Sequence, residues 1–147
     1  NDYFAAAFGK GGGLVKDYMK DLSFYGDPVF MRNEYDNTVD LSRVPRFEKG
    51  VELIDNFKPI IVRNLNHQNK TVALSYYYLS YHSEFAKLYL KMEIELTKGD
   101  VDAAKLAMDE LKEYTKTHEK ELHRVFDTYI FNSKLNRNVE KLINNMH

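Results

Sequence analysis

Two histidines, His118 and His123, enclose a Glu-Lys-Glu-Leu stretch that approaches the HExxH pattern of zinc sites. That pattern binds zinc because residues i and i+4 place both imidazoles on one face of a helix. An interval of five rotates the second imidazole by about 140° from the first. The spacing therefore predicts a charged helical surface, and no metal site is predicted in this chain.

His82 could act as a general acid or base if it lay in a cleft with a substrate-facing partner. It shares a polar side of its helix with Ser75 and Glu93, near Tyr89. A single histidine among aromatic residues on a buried helix is more typical of a hydrogen-bonded packing residue. Of three hypotheses for the function of this chain, an enzyme that uses His82 and a nearby carboxylate is therefore the least favoured.

A run of tyrosines at 76–78 is followed by Tyr81, in a chain with 11 Tyr, 9 Phe and no Trp. Helical spacing predicts that Tyr76 and Tyr78 point inward and that Tyr77 points toward the surface. Tyrosine combines an apolar ring with a polar hydroxyl and suits half-wet surfaces. Tyr77 and Tyr81 are therefore candidate contacts for a sugar or a partner, and packing without any ligand is the alternative.

Two further stretches have residue types that occur in binding loops. The glycines at 9 and 11–13 lack the preceding strand and the Lys-Ser/Thr of a phosphate loop, so they predict a helix break. Residues 26–46 show no helical period and carry Tyr35 and several acidic residues. Their spacing does not match an EF-hand calcium loop, so solvated turns are expected. This segment, with Tyr35, is nevertheless a candidate contact surface.

His82 and the tyrosines at 76–78 and 81 lie on a long helix that is predicted over 71–96. It has a predicted cap at Asn69 or Thr71 and a predicted stop at Gly99. Its apolar residues fall on two nearly opposite rows, which predicts a central helix sandwiched between neighbours. One row contains Leu74, Tyr78, Tyr81, Phe85, Leu88, Met92 and Leu96, and the other contains Val72, Tyr76, Leu79, Ala86, Leu90 and Ile94.

The remaining periodic segments predict helices before and after this one, including a helix over 47–66 that is kinked or broken near Pro59. A last short helix is expected from Leu135 onward. No strand pattern competes with these helices. We therefore predict an all-α bundle of about five or six helices, forming a single domain over 1–147.

Composition excludes several classes of function. A net charge of −1 argues against nonspecific nucleic-acid binding, which needs a basic face. The absence of Cys excludes disulfides and thiolate chemistry. No apolar run approaches the length of a membrane span. No cofactor is predicted. Because the chain begins Asn-Asp-Tyr-Phe without Met, we expect a piece of a longer polypeptide.

Residues 2–9 (DYFAAAFG), followed by Leu14-Val15-Lys16-Asp17-Tyr18, resemble a helical segment in large bacterial glycoside hydrolase-like proteins. In these α-glucuronidase- and hexosaminidase-like families, that segment follows the catalytic barrel. The resemblance implies a parent that acts on glycans, at the cell surface or outside the cell. The catalytic acids of those families lie on the barrel, so the resemblance implies none in this chain.

Two main hypotheses follow. The first is a non-catalytic helical accessory domain that flanks the barrel of a carbohydrate-active protein. Its expected partners are other domains of the same polypeptide, with glycan as a further candidate. The second is a helical protein–protein interaction module that holds a partner in a groove and has no link to carbohydrate.

Overall fold

A computed structural model describes residues 2–26 and 41–126, and these residues form six α-helices. They are α1 (Asp2–Phe8), α2 (Gly12–Gly26), α3 (Val44–Asn64), α4 (Lys70–Lys98), α5 (Val101–Thr117) and α6 (Glu119–Phe126). Short 3-10 turns at Gly9–Gly11 and Leu41–Arg43 precede α2 and α3. No strand occurs in these ranges, so the predicted all-α bundle is confirmed. Tyr35 and the helix expected from Leu135 lie outside the described residues.

The ends of α4 follow from its local sequence. Asn69 Oδ1 accepts hydrogen bonds from the backbone N–H groups of Thr71 and Val72, at 2.9 and 3.3 Å. These bonds satisfy donors that have no partner inside the first turn. Gly99 ends the helix in the left-handed conformation, with φ of 76°. The predicted cap and stop are both confirmed, and the helix extends slightly beyond the predicted 71–96.

The central helix α4 packs against α3 and α5, and also contacts α1 and α6. Short connections make both the α3–α4 and the α4–α5 pairs antiparallel hairpins. The row that runs from Val72 to Ile94 is buried, as predicted. Since neighbours pack on both sides, the prediction of a central, sandwiched helix is confirmed.

The second predicted row is only partly buried. Phe85 and Met92 lie in the core, whereas Leu74 and Leu96 are each 48% exposed. The side of α4 between the two rows is also buried, and it contains His82, Tyr89 and Glu93. Tyr78, Tyr81 and Leu88 of the second row also pack against the core, so both predicted rows contact neighbouring segments. The predicted polar side with His82 and Glu93 is wrong, because neighbouring segments cover it as well.

The helix α3 is continuous through Pro59. Of the two predicted alternatives, one kinked helix or two abutting helices with a break near residues 56–58, the second is wrong. The helix continues although Pro59 provides no N–H for the carbonyl of Asp55. Phe57 and Ile61 are buried on either side of Pro59, which itself is exposed. The packing of Phe57 and Ile61 therefore stabilises the helix by more than the missing hydrogen bond destabilises it.

Aromatic contacts join the N-terminal helices to the rest of the bundle. The rings of Phe8 and Tyr76 meet edge to face at 5.0 Å. Tyr18 stacks on Phe57 at 4.1 Å and shares a buried hydrogen bond of 2.7 Å with Ser83. Through these contacts, α1 and α2 share one core with α3 and α4. Among the described helices, none has the length and apolar character needed to cross a membrane.

Candidate functional site

Four aromatic side chains form a surface cluster where α4, α5 and α6 meet, and we call it the aromatic patch. It consists of Tyr77, Tyr81, Tyr114 and His118. The rings of Tyr77 and Tyr81 pack edge to face, with centroids 5.0 Å apart, and their hydroxyl groups lie 3.2 Å apart. His118 lies 5.0 Å from the Tyr81 ring and 4.6 Å from the Tyr114 ring. Tyr77 is 39% exposed, so the patch is open to solvent at this end.

Helix geometry places these rings together. Tyr77 and Tyr81 are four residues apart on α4, and side chains at this interval lie on one helical face. Tyr114 lies in the last turn of α5. His118 separates α5 from α6, and its backbone N–H donates to the Tyr114 carbonyl at 3.0 Å. His118 is the one residue between α5 and α6, and its ring contacts Tyr81 of α4.

Two phenols of the patch, Tyr81 and Tyr114, have raised pKa values. The hydrogen bond to Tyr77 is the main cause that raises the pKa of Tyr81 to about 12, and burial and the charge of Glu121 act in the same direction. Burial also raises the pKa of Tyr114, with Glu84 as the next largest cause. Both hydroxyl groups therefore remain able to donate hydrogen bonds at neutral pH.

Carboxylates border the aromatic patch. Glu121 Oε1 lies 3.7 Å from His118 Nδ1, one helical turn away. The charge of Glu84, which lies on α4, contributes to the raised pKa of Tyr114. Rings with apolar faces, phenolic donors and carboxylate acceptors are thus close together on one surface. Such a surface can stack on an apolar face of a ligand and exchange hydrogen bonds with its hydroxyl groups.

The predicted acid–base residue His82 lies in the interior, with 2% of its surface exposed. Glu93, on the same side of α4, is 1% exposed. Eleven residues separate the two along the helix, a rise of roughly 16 Å, so they do not form a pair. In this conformation a substrate in solvent has no access to either group.

Glu93 is nevertheless unusual, because it is a carboxyl group in an apolar core. Burial raises its pKa to about 8, and the positive charge of Arg43 opposes this shift. Its Oε1 atom has no hydrogen-bond partner among the described residues. The carboxyl is therefore mostly protonated at neutral pH, because the effect of burial exceeds that of the Arg43 charge.

The candidates from the sequence have different outcomes. Tyr77 and Tyr81 lie together at the surface, His82 is buried in the core, and Tyr35 lies outside the described residues. Tyr114 and His118 complete the patch, although neither is a candidate contact from the sequence, which assigns His118 to a charged helical surface. Their interval of four residues, equal to that of Tyr77 and Tyr81, was the available signal.

No group of three or more His, Cys, Asp or Glu side chains in residues 2–26 and 41–126 could hold a metal ion. His118 lies between two helices and His123 is exposed on α6. Their role as a ligand pair therefore has no support in this part of the chain.

A shallow groove of about 360 Å³ lies between α4 and α5, beside the Gly99 turn. Leu88 and Ile94 line it from α4, and Ala103 and Ala107 from α5. Leu106 borders it and is 66% exposed. The small alanine side chains leave room for another chain to approach the two helices.

Comparison of the chain with models of known protein families, with curated proteins and with solved structures finds no match.

Proposed function

We propose that this chain is a non-catalytic helical accessory domain of a larger carbohydrate-active protein, and that the aromatic patch is its glycan contact. The observation that carries the proposal is the open Tyr77 ring, held edge to face by Tyr81 at 5.0 Å. A ring that is fixed before binding loses little conformational freedom when a ligand stacks on it.

The rest of the patch supplies the polar part of such a contact. The phenols of Tyr77 and Tyr81 and the carboxylate of Glu121 provide donors and acceptors within one surface. Sugars present both apolar C–H faces and hydroxyl groups, so both parts of the patch have a counterpart in the ligand. The titratable groups His82 and Glu93 serve packing in this proposal, since both are buried.

Binding can be tested by NMR titration of the full chain with soluble oligosaccharides, observing the aromatic signals of tyrosine. Tyr77→Ala should weaken binding by roughly tenfold, which is the effect of losing one aromatic stacking contact. Tyr3→Ala is the matched control, because Tyr3 is 37% exposed on α1 and lies outside the patch. Equal effects of the two substitutions, or no response to any oligosaccharide, would reject the glycan contact.

The groove between α4 and α5 favours a second function, that of a protein interaction module. Its borders carry Lys91, Glu95 and Glu110, two acidic residues and one basic residue. The fitting occupant is an amphipathic helix of a partner protein, with leucines facing Ala103 and Ala107 and with lysines beside the carboxylates. This function does not require carbohydrate.

A labelled amphipathic peptide of leucine and lysine serves as the probe for this second function. Its binding should be lost in Ala107→Arg and retained in Val62→Arg, which adds the same charge at an exposed site on α3. A scrambled peptide of equal composition should not bind. Binding that survives Ala107→Arg would exclude the groove as the docking site.

A further inference from the structure

A pocket of about 520 Å³ lies between the Gly9–Gly11 turn and the start of α4, and it shares no residue with the aromatic patch. Phe8 and Val72 form its apolar part, and Ala5 and Ala6 form a wall of small side chains. Its volume is in the range of small-molecule sites in proteins. It is therefore large enough for a metabolite-sized ligand.

The polar lining of this pocket has one sign of charge. Lys10 is the positively charged side chain of the lining, and His67, Asn64 and Asn69 add neutral polar groups. No Asp or Glu is among the described residues that line it. Uniform charge of this kind attracts ligands of the opposite sign.

His67 presents a defined donor to the pocket. Its Nδ1 atom accepts a hydrogen bond from the Asn69 backbone N–H at 3.0 Å. The proton of the neutral ring therefore lies on Nε2. A Cβ atom built on Gly9 would be 4.0 Å from Nε2, so this N–H lies beside the glycine turn.

Lys10 is the only residue of the Gly9–Gly11 turn that has a side chain. Gly9 has φ of 68°, a conformation that residues with a Cβ rarely adopt. A Cβ on Gly11 would lie 2.6 Å from the Tyr76 hydroxyl, which is too close. The fold therefore requires glycine at both positions. The ammonium group of Lys10 is the charged group of this turn.

We propose that this pocket binds a small molecule through an oxyanion, either a carboxylate or a phosphate group. Lys10 supplies the opposite charge, and His67 Nε2–H supplies a directed hydrogen bond. Phe8 and Val72 contact the apolar remainder of the ligand. The proposal is independent of the glycan contact, because the two surfaces have no residue in common.

The test is an NMR titration of the ¹⁵N-labelled full chain with inorganic phosphate and with acetate, at constant ionic strength. Amide signals of Gly9, Gly11 and Asn69 should shift and saturate with at least one of the two anions. Lys10→Met should weaken binding by roughly fivefold, as expected for the loss of one exposed ion pair. Lys20→Met is the matched control, since Lys20 is exposed on α2 and does not line the pocket.

A second variant distinguishes binding in the pocket from nonspecific attraction of anions to positive charge. Ala6→Phe retains Lys10 and His67 but occupies the pocket, so it should abolish the saturable shifts. Circular dichroism verifies that each variant keeps its helical content. Three results would each overturn the proposal: shifts that never saturate, equal losses in Lys10→Met and Lys20→Met, or unchanged binding in a folded Ala6→Phe variant.

Discussion

Tyr18 Oη and Ser83 Oγ lie 2.7 Å apart inside the bundle, and this hydrogen bond connects α2 to the central helix. Both side chains are buried, with 2% and 5% of their surfaces exposed. A serine within the apolar row of α4 is thereby explained, because it is the partner of a buried phenol. Burial is also the main reason that the pKa of Tyr18 is raised.

Ser83→Ala should destabilise the protein by about 1–2 kcal/mol, because the Tyr18 hydroxyl would remain buried without this partner. The free energy of unfolding from urea denaturation measures the effect. Tyr18→Phe provides the double-mutant cycle: once the phenol is absent, replacing Ser83 should cost clearly less. Strictly additive losses would show that the two hydroxyl groups do not stabilise each other.

Glu93→Gln should change how stability depends on pH. The pKa of Glu93 is about 8 in the folded chain, above its ordinary value of 4.5. The unfolded state therefore releases its proton first, and the native state loses stability as pH rises from about 4.5 toward 8. Glutamine cannot ionise, so the variant should match the wild type near pH 4 and exceed its stability progressively up to pH 8.

Thermal unfolding over this pH range measures the difference between Glu93→Gln and the wild type. Glu95→Gln is the control, because Glu95 lies two residues away on the same helix and is partly exposed. A Glu93→Gln effect that is the same at every pH would contradict the raised pKa.

Tyr77→Phe should lower the pKa of Tyr81 from its value of about 12. With Tyr81 as the donor, the bond between the two hydroxyl groups stabilises the protonated phenol, and phenylalanine cannot accept it. Titration of the ¹³Cζ signal of Tyr81 by NMR would measure the shift. Tyr78→Phe should have little effect, since the Tyr78 ring contacts Tyr77 at 5.4 Å without this hydrogen bond. A pKa of Tyr81 that is equal in both variants would exclude the hydrogen bond as its cause.

Gly50→Ala should destabilise the bundle by about 1–3 kcal/mol through overpacking. A Cβ at this position would lie 2.8 Å from Leu90 Cδ1 and 3.2 Å from Tyr25 Cβ. Gly13→Ala is the matched substitution, because no atom lies within 4 Å of its Cβ position. It should stabilise α2 by up to about 1 kcal/mol, since alanine favours the helix. Urea denaturation of both variants would show opposite signs, and a stabilising Gly50→Ala would refute the close packing of α3 on α4.

The sequence was sufficient at both ends of α4, where the structure depends on neighbouring residues. Asn69 and Gly99 mark the ends of α4, and both act within one helical turn. The stacking of Phe4 on Phe8 at 6.3 Å also follows from an interval of four residues. Such local signals predict which segments are helical and which residues end them.

Features that depend on how the helices pack were not predictable in this way. The burial of His82 and Glu93 is set by neighbouring segments rather than by the spacing within α4. Lys87 pairs with Asp55 at 2.7 Å, across 32 positions of sequence. The aromatic patch brings His118, between α5 and α6, against Tyr81 of α4, and the spacing within either helix does not predict this contact. Periodicity predicts a residue's direction on its own helix but not what lies opposite.

Gly99 and Asp100 alone connect α4 to α5, and this shortness has a consequence for the order of folding. Contacts across such a hairpin close small loops, which costs little chain entropy. Phe8 and Tyr76, in contrast, meet across 68 positions. We expect the α4–α5 hairpin to assemble early and α1 to dock late. Pulsed hydrogen exchange during refolding should therefore protect the amides of α5 before those of α1, and the reverse order would refute this sequence of events.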